Sequence, residues 1–200
     1  MAVNVYIAIV DEKDIRNQLN VILEKIPLWR KEKVLSYKND IDRYLCAKAF
    51  MLLREGLASD YGVNDEIRFS FNREGKPFLA NHPEIHFNLS HCKKGVACAI
   101  SNSPVGIDIE EILYDDDVAR YILSEEEYRE VTASANKAES FTKKWTEKES
   151  YLKMLGCGLL DNMKELDMGK ARFSTKIAKE NGVVVTLCTN CDISQQNTQL

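Results

Sequence analysis

Apolar residues recur along this chain with two different periods, which together predict strands mixed with helices. Alternation with a period of two, or a short β-branched run, predicts strands over residues 3–10, 66–71, 85–90, 96–100, 105–110, 171–177 and 183–187. Spacings of three and four predict helices over residues 14–26, 40–57 and 140–155, and Ser124 is expected to cap a further helix. Because the two kinds of segment are interspersed, we predict an α+β fold.

Turn-forming and capping residues mark where several of these elements end. Asp40 is expected to cap one long helix, and Gly156 is expected to end the other. A polar turn with His91 at its tip predicts a hairpin, and Asn181-Gly182 predicts a second one. The pattern therefore predicts antiparallel pairs of strands beside long amphipathic helices.

The dipeptide Ser103-Pro104 lies near the middle of the chain and predicts a joint. We place a boundary there, between one lobe over residues 1–103 and another over residues 104–200. Each side has its own strands and a long amphipathic helix, and each has the size of a small domain. Residues 194–200 are polar and are expected to fray.

Carboxylates occur in two patterns that can meet in space. On one predicted strand, Asp108 and Glu110 share a face, and at roughly 3.3 Å per residue their Cα atoms lie about 6.6 Å apart. On the last long helix, Trp145, Glu149 and Lys153 recur every four residues and form one stripe. Taken singly, the alternative interpretations are a solvated strand edge and an ordinary surface ion pair.

If the carboxylates of the strand and the helix meet in space, their chemistry favours a divalent cation. Carboxylates held together repel one another, a divalent ion relieves that repulsion, and ligands that are all oxygens favour Mg²⁺. Glu147 and Glu149 are about 200° apart around a helix, and Glu149 shares the stripe of Lys153. We therefore predict that Asp108, Glu110 and Glu149 bind Mg²⁺.

Basic and hydroxyl side chains near element ends in the first hundred residues form a candidate phosphate site. They are Arg30, Lys33, Arg43, Lys76, Ser90 and His91, with Lys31 as an alternative to the first two. Arg43 lies in the first turn of a helix, where a cation is unfavourable unless an anion is nearby. The alternatives are a solvated helix face around residue 31 and a structural role for His91.

Composition limits the classes of function. The 200 residues are 44% hydrophobic with a formal net charge of −4, which argues against broad binding of nucleic acid or of anionic membranes. No signal pattern or membrane span is expected. The six cysteines lie mostly among apolar neighbours, so we expect reduced thiols in a cytoplasmic protein. Cys188 and Cys191 have the spacing of a zinc pair, but a zinc site is not expected without a second pair.

Three motifs together resemble the long, Sfp-like branch of the 4′-phosphopantetheinyl transferase superfamily. They are Phe87-Asn88-Leu89-Ser90-His91, Val105-Gly106-Ile107-Asp108-Ile109-Glu110 and Trp145-Thr146-Glu147-Lys148-Glu149-Ser150 followed by Lys153, with Asp42-Arg43 and Gly75-Lys76-Pro77 in support. The resemblance runs from Trp29 to Gly158. Cys92 stands where the family often has serine.

The resemblance implies a pseudo-twofold pair of similar α+β lobes, with coenzyme A as co-substrate and Mg²⁺ in the cleft between them. It implies that Asp108, Glu110 and Glu149 hold Mg²⁺ and that Glu149, Lys153 and Asp108 are catalytic. Coenzyme A would be bound by Arg30, Lys33, Arg43, Lys76, Ser90, His91 and Lys153.

The implied activity is the transfer of 4′-phosphopantetheine from coenzyme A to a serine hydroxyl of an apo acyl or peptidyl carrier protein, with release of 3′,5′-adenosine bisphosphate. We expect a monomer, because one chain supplies both sides of the cleft. Leu159, Leu160 and Met163 are either a contact strip for the carrier or ordinary core. The alternative functions are a Mg²⁺-dependent nucleotide pyrophosphate hydrolase and a non-catalytic module that binds coenzyme A or a carrier.

Overall fold

The computed structural model describes residues 2–158, 162–190 and 195–199, and it is an α+β fold, as predicted. The helices are α1 (Ile15–Lys25), α2 (Leu28–Leu35), α3 (Asp40–Tyr61), α4 (Asp116–Ile122), α5 (Glu125–Ala133) and α6 (Lys137–Leu155). The strands are β1 (Ala2–Ile9), β2 (Phe69–Phe71), β3 (Pro77–Leu79), β4 (His86–Cys92), β5 (Gly95–Ser101), β6 (Val105–Glu111), β7 (Arg172–Ala178), β8 (Val183–Thr189) and β9 (Gln195–Gln199). Among the described residues, no helix is long and apolar enough to cross a bilayer.

Two sheets carry most of the strands, and they share a topology. The first has the order β4-β5-β1-β9, and the second has the order β6-β8-β7. In each, a leading strand (β1 or β6) is followed by helices and then by an antiparallel hairpin whose second strand (β5 or β8) pairs with the leading strand. This repeated order is what a pseudo-twofold pair of lobes requires, while the boundary at residue 103 stays a prediction.

The sheets pack through apolar faces between outer layers of helices. Alternate residues of β1 and β5, including Val5 and Ala99, pack against Ile107 and other alternate residues of β6 and β8. The opposite face of the first sheet packs against α1, α2 and α3. The opposite face of β6 turns Gly106 toward α6, and this alternation was predicted from the sequence.

Several element ends differ from the predictions. Asn39, not Asp40, caps α3, because its side chain accepts the amide of Asp42 at 2.9 Å. The hairpin turns at Lys93 and Lys94, so His91 lies within β4 rather than at the tip. Residues 195–199 do not fray, because β9 pairs in parallel with β1. The capping box predicted at Ser124 is confirmed.

Gly106 lets α6 pack directly on β6, which generates a prediction. A Cβ added there would overlap the carbonyl oxygen of Ser150 and lie 2.5 Å from the backbone nitrogen of Met154. Gly106→Ala must therefore displace α6, and we expect it to lower the free energy of unfolding by about 1 to 3 kcal/mol. Urea unfolding measures this loss.

Gly169→Ala is the matched control. Its Cβ would meet only the flexible end of the Asp167 side chain, in an exposed turn. We expect little change in stability from this substitution. Equal effects of the two substitutions would contradict the tight contact at Gly106.

Candidate active site

Asp108 is the most buried of the predicted acids, with 1% of its side chain exposed on β6. Its Oδ1 atom accepts a hydrogen bond from the Ser90 hydroxyl at 2.8 Å and lies 2.5 Å from the Lys153 ammonium. The Lys153 ammonium also donates to the Ser90 oxygen at 2.9 Å. Strand β4, strand β6 and helix α6 therefore meet at one carboxylate.

Polar side chains of β4 serve as the partner of one edge of β6. Asn88 Oδ1 accepts the backbone amide of Ile107 at 2.8 Å, and Ser90 Oγ accepts that of Ile109 at 3.4 Å. These two bonds take the place of a neighbouring backbone along that edge. They fix the register of β6, and so the position of Asp108, relative to β4.

Glu110 and Glu149 lie near Asp108 in half-buried positions. Burial raises the pKa of Glu110 to about 7, and the Asp108 charge adds to this effect while Lys153 and the Trp145 indole oppose it. Burial also raises the pKa of Glu149, again with Asp108 adding to the shift and Lys153 opposing it. The positive charge around Glu110 and Glu149 is therefore too small to offset the burial of two ionised carboxylates.

Glu147 lies elsewhere on α6, as the helix geometry predicted. Its carboxylate pairs with Lys143 one turn earlier, at 2.7 Å. Glu149, in contrast, lines a cleft of about 310 Å³ together with Lys76, Asn88 and Lys153. Glu149 is therefore the acid of the two that faces the cleft.

Lys76 reaches the cleft from the turn between β2 and β3 and contacts the other half of the chain. Its ammonium donates to the carbonyl oxygens of Met154 at 3.0 Å and of Val105 at 3.4 Å. Burial lowers its pKa to about 8. Lys76 thus joins the two sides of the cleft in addition to lining it.

The remaining predicted basic residues do not line the cleft beside Glu149. Arg30 and Lys33 line a second cavity of about 590 Å³, which shares Pro77 with the cleft. Arg43 donates to Asp40 and to the Tyr37 carbonyl oxygen, each at 3.0 Å. Its unfavourable place in the first helical turn is thus offset within the chain, without an external anion. The side chain of His91 is exposed.

Known proteins with this pattern identify the family. A model of the 4′-phosphopantetheinyl transferase superfamily matches residues 104–190. The 4′-phosphopantetheinyl transferase gsp of Aneurinibacillus migulanus is 35% identical over 170 residues, which are 83% of this chain and 71% of that protein. The chain belongs to the 4′-phosphopantetheinyl transferase superfamily.

Other members of the superfamily are similar over shorter shares of their length. The 4′-phosphopantetheinyl transferase Sfp of Bacillus subtilis (strain 168) is 31% identical over 134 residues, or 65% of this chain and 60% of that protein. A Saccharomyces cerevisiae (strain ATCC 204508 / S288c) protein, L-aminoadipate-semialdehyde dehydrogenase-phosphopantetheinyl transferase, is 28% identical over 171 residues, or 76% of this chain and 61% of that protein. This chain therefore spans about three fifths of the length of both proteins.

The acid cluster offers oxygen ligands of the kind that bind a divalent cation, but it does not form a closed coordination sphere. In the described parts of the chain, no three His, Cys, Asp or Glu side chains converge closely enough to hold a metal ion. Asp108 Oδ2, however, is buried and lacks a hydrogen-bond partner. An orphaned carboxylate oxygen beside two acids of raised pKa fits a hard, oxygen-binding cation such as Mg²⁺.

Three features of the site had not been predicted from the sequence. Asn88 was part of a quoted motif, and its alternation with Ser90 is the pattern that could have indicated its contact with β6. Arg68 lines the second cavity beside Lys33. Lys148, next to Glu149 in sequence, is buried and bonds Glu127 instead of facing solvent.

Two other predictions concern residues near the C-terminal half. Met163 is buried in the core between α4, α5 and α6, which confirms the core interpretation for that residue, while Leu159 and Leu160 lie outside the described residues. Cys188 is buried and free, and Cys191 lies outside the described residues. The other four cysteines are also free, as expected for reduced thiols.

The raised pKa of Glu110 generates a prediction for the metal-free protein. With a pKa of about 7 against an ordinary 4.5, folded Glu110 holds its proton over a range where unfolded Glu110 has lost it. Its contribution therefore lowers stability as the pH rises from about 4.5 to 7. In EDTA, we expect Glu110→Gln to raise the free energy of unfolding at pH 8 by about 1 to 2 kcal/mol, less than the full shift implies because the carboxyl is only half-buried.

Urea unfolding at a series of pH values measures this difference. Asp108, Glu149 and Lys153 face Glu110 and are unchanged in the variant, so the gain should shrink steadily between pH 8 and pH 5. Glu180→Gln, in the exposed turn before β8, is the matched control and should show no such trend. A gain that grows toward pH 5 would contradict the assignment.

Proposed function

We propose that this chain transfers 4′-phosphopantetheine from coenzyme A to a serine of an apo acyl or peptidyl carrier protein, in a Mg²⁺-dependent reaction. The observation that carries this proposal is the meeting of Asp108, Ser90 and Lys153 beside a cleft lined by Glu149. Membership of the superfamily supports it, because the relatives are named for phosphopantetheinyl transfer. We also propose that a single chain acts alone, because it provides both sides of the cleft. The free cysteines support our proposal that it acts in the cytoplasm.

Coenzyme A is proposed to bind along the two adjoining cavities. Its pyrophosphate would lie in the cleft near Lys153 and Lys76, where two ammonium groups attract phosphate oxygens. The nucleotide phosphates would extend toward Arg30 and Lys33 past Pro77, which lines both cavities. Arg43 and His91 would complete the phosphate contacts if the nucleotide draws their side chains toward it.

Residues of the chain would then carry the reaction. Glu149 is proposed to accept the proton of the carrier serine, directly or through a water molecule, and its raised pKa suits a general base. The serine oxygen forms a bond to the β-phosphorus of coenzyme A, the bond from that phosphorus to the bridging oxygen breaks, and 3′,5′-adenosine bisphosphate leaves. Lys153 offsets the charge that grows on the leaving phosphate.

Asp108, Glu110 and Glu149 would hold Mg²⁺ on the side of the cleft that faces the pyrophosphate. When bound, this ion would supply positive charge to the pyrophosphate oxygens. Asp108 remains an acceptor on Oδ2, which is the atom best placed to serve as a ligand. The three acids would otherwise face the phosphates with like charge.

The proposed activity predicts a mass gain on apo carriers. We expect incubation of the protein with coenzyme A, Mg²⁺ and several apo acyl and peptidyl carriers to add one phosphopantetheine group to the carrier serine, as measured by intact-mass spectrometry. A carrier with that serine changed to alanine is the control. Cleavage of coenzyme A without a carrier would indicate a pyrophosphate hydrolase instead, and binding without any product would indicate a non-catalytic module.

Two neighbouring acids on α6 provide a sharper test of the site. Glu149→Ala removes the proposed base and metal ligand, so we expect the transfer rate to fall by about a hundredfold or more. Glu147→Ala removes a carboxylate that pairs with Lys143, and we expect a mild effect. Steady-state transfer rates, with circular dichroism to confirm folding, measure both. If Glu147 were the essential acid, the assigned face of α6 would be wrong.

A further inference from the structure

Asn72 shapes the turn between β2 and β3 that carries Lys76 into the cleft. Its backbone amide donates to the Lys76 carbonyl oxygen at 3.0 Å, and its backbone carbonyl oxygen accepts the Gly75 amide at 3.1 Å. Its side-chain Oδ1 atom also accepts the Lys76 amide at 2.7 Å. Gly75 has a φ of 86°, in the left-handed region that favours glycine. Three hydrogen bonds of this turn therefore involve Asn72.

The same side chain also bonds the end of α6, across a separation of 84 residues in the chain. The Nδ2 atom of Asn72 donates to the carbonyl oxygen of Gly156 at 2.8 Å. These two partners determine the orientation of the side-chain amide, because the Lys76 amide can only donate and the Gly156 carbonyl can only accept. Asn72 therefore uses its acceptor for its own turn and its donor for the helix.

Gly156 allows the turn to approach α6 closely. It follows the last residue of the helix and has a φ of 72°. A Cβ at this position would lie 2.8 Å from Cδ of Lys76 and 3.1 Å from Nδ2 of Asn72. The Lys76 ammonium crosses the same junction and donates to the carbonyl oxygen of Met154 at 3.0 Å. The turn and the helix end are thus packed together and joined by two side chains of the turn.

This junction belongs to the cleft, because residues on both of its sides line that cavity. The turn contributes Gly75 and Lys76, and α6 with the residue after it contributes Lys153 and Gly156. Lys76 and Lys153 carry the two ammonium groups that are proposed to attract the pyrophosphate. Their separation depends on how the turn lies against α6, so a bond between the turn and the helix end helps to set it.

We propose that Asn72 is a positioning residue that fastens the β2–β3 turn to the end of α6 and so sets the distance between Lys76 and Lys153. This inference rests on the proposed function, since it takes the cleft to bind coenzyme A. When the bond to Gly156 is lost, the turn must be ordered during binding, and that ordering costs affinity. Glu149 keeps its place on α6, so the loss falls on KM for coenzyme A rather than on kcat.

Two variants of Asn72 separate its two side-chain bonds. Asn72→Asp keeps an acceptor for the Lys76 amide but replaces the donor to Gly156 with a second acceptor, whereas Asn72→Ala removes both groups. We expect either variant to raise KM for coenzyme A by about three- to tenfold, with kcat changed by less than about twofold. Steady-state transfer to an apo carrier measures both constants. If the alanine variant does not fold, the aspartate variant alone tests the bond to the helix.

Hydrogen exchange provides a measurement that does not depend on transfer. We expect the backbone amides of residues 72–76 to exchange faster in Asn72→Asp than in the unaltered protein, because the turn is then released from α6. Mass spectrometry of peptides that cover this turn measures the difference.

Two control variants separate stability and charge from the proposed role. Asn136→Ala removes another exposed asparagine, which caps the opposite end of α6 by accepting the Glu139 amide at 3.3 Å. It should leave KM for coenzyme A unchanged. Arg73→Gln makes the turn more negative by one charge, as Asn72→Asp does, at an exposed side chain. It should change KM much less than Asn72→Asp.

Several outcomes would overturn the proposal. One is an unchanged KM in both variants of Asn72, and another is a rise in Asn72→Ala alone, since Asn72 would then act only within its own turn. An equal rise in Arg73→Gln would assign the effect to charge. Absence of transfer by the unaltered protein would instead contradict the proposed function. In that case, unchanged hydrogen exchange of residues 72–76 in Asn72→Asp would still overturn the role of Asn72.

Discussion

The fold around the cleft depends on keeping a carboxylate charged where water hardly reaches it. Asp108 has 1% of its side chain exposed, and an unpaired charge at such a position costs several kcal/mol. Its compensation comes from Ser90 on β4 and from Lys153 on α6. Strand β4, strand β6 and helix α6 are distant in the chain, so the pairing of one side chain requires them to meet. Gly106, on the same face of β6, makes the meeting possible because α6 packs where a Cβ would stand.

Helix α6 is held on more than one side, which fixes the direction of Glu149 and Lys153. Lys148 is buried and binds Glu127 of α5 at 3.0 Å and the carbonyl oxygen of Met163 at 2.9 Å. At the end of the helix, Asn72 donates to the carbonyl oxygen of Gly156 at 2.8 Å, and Lys76 donates to that of Met154. A buried ion pair adds little net stability but is costly to break, so it resists rotation of the helix. The helix therefore holds the side chains of Glu149 and Lys153 in place beside the cleft.

Local patterns in the sequence were sufficient for the long elements and for the strand and helix faces on which the acids lie. The alternation over residues 105–110 correctly assigned the faces of β6, because the side chains of a strand must alternate. Contacts between distant or competing residues were not predictable in this way. Asn39 and Asp40 both favour a helix cap, so only the backbone geometry decides between them. The parallel pairing of β9 with β1 joins opposite ends of the chain, and no local period encodes it. The position of Arg43 in the sequence suggested a bound anion, but the carboxylate of Asp40 already pairs with its side chain.

The negative charges of the acids in the cleft exceed the positive charge that the protein places beside them. Asp108, Glu110 and Glu149 act on one another through space, and Lys153 offsets them with a single positive charge. Full ionisation would leave two negative charges, and this excess adds to burial, the larger cause, in raising the pKa of Glu110 to about 7. A divalent cation would neutralise it, whereas another lysine would not. Because phosphates in the cleft would add further negative charge, a bound metal and a bound nucleotide would favour each other's binding under the proposed function.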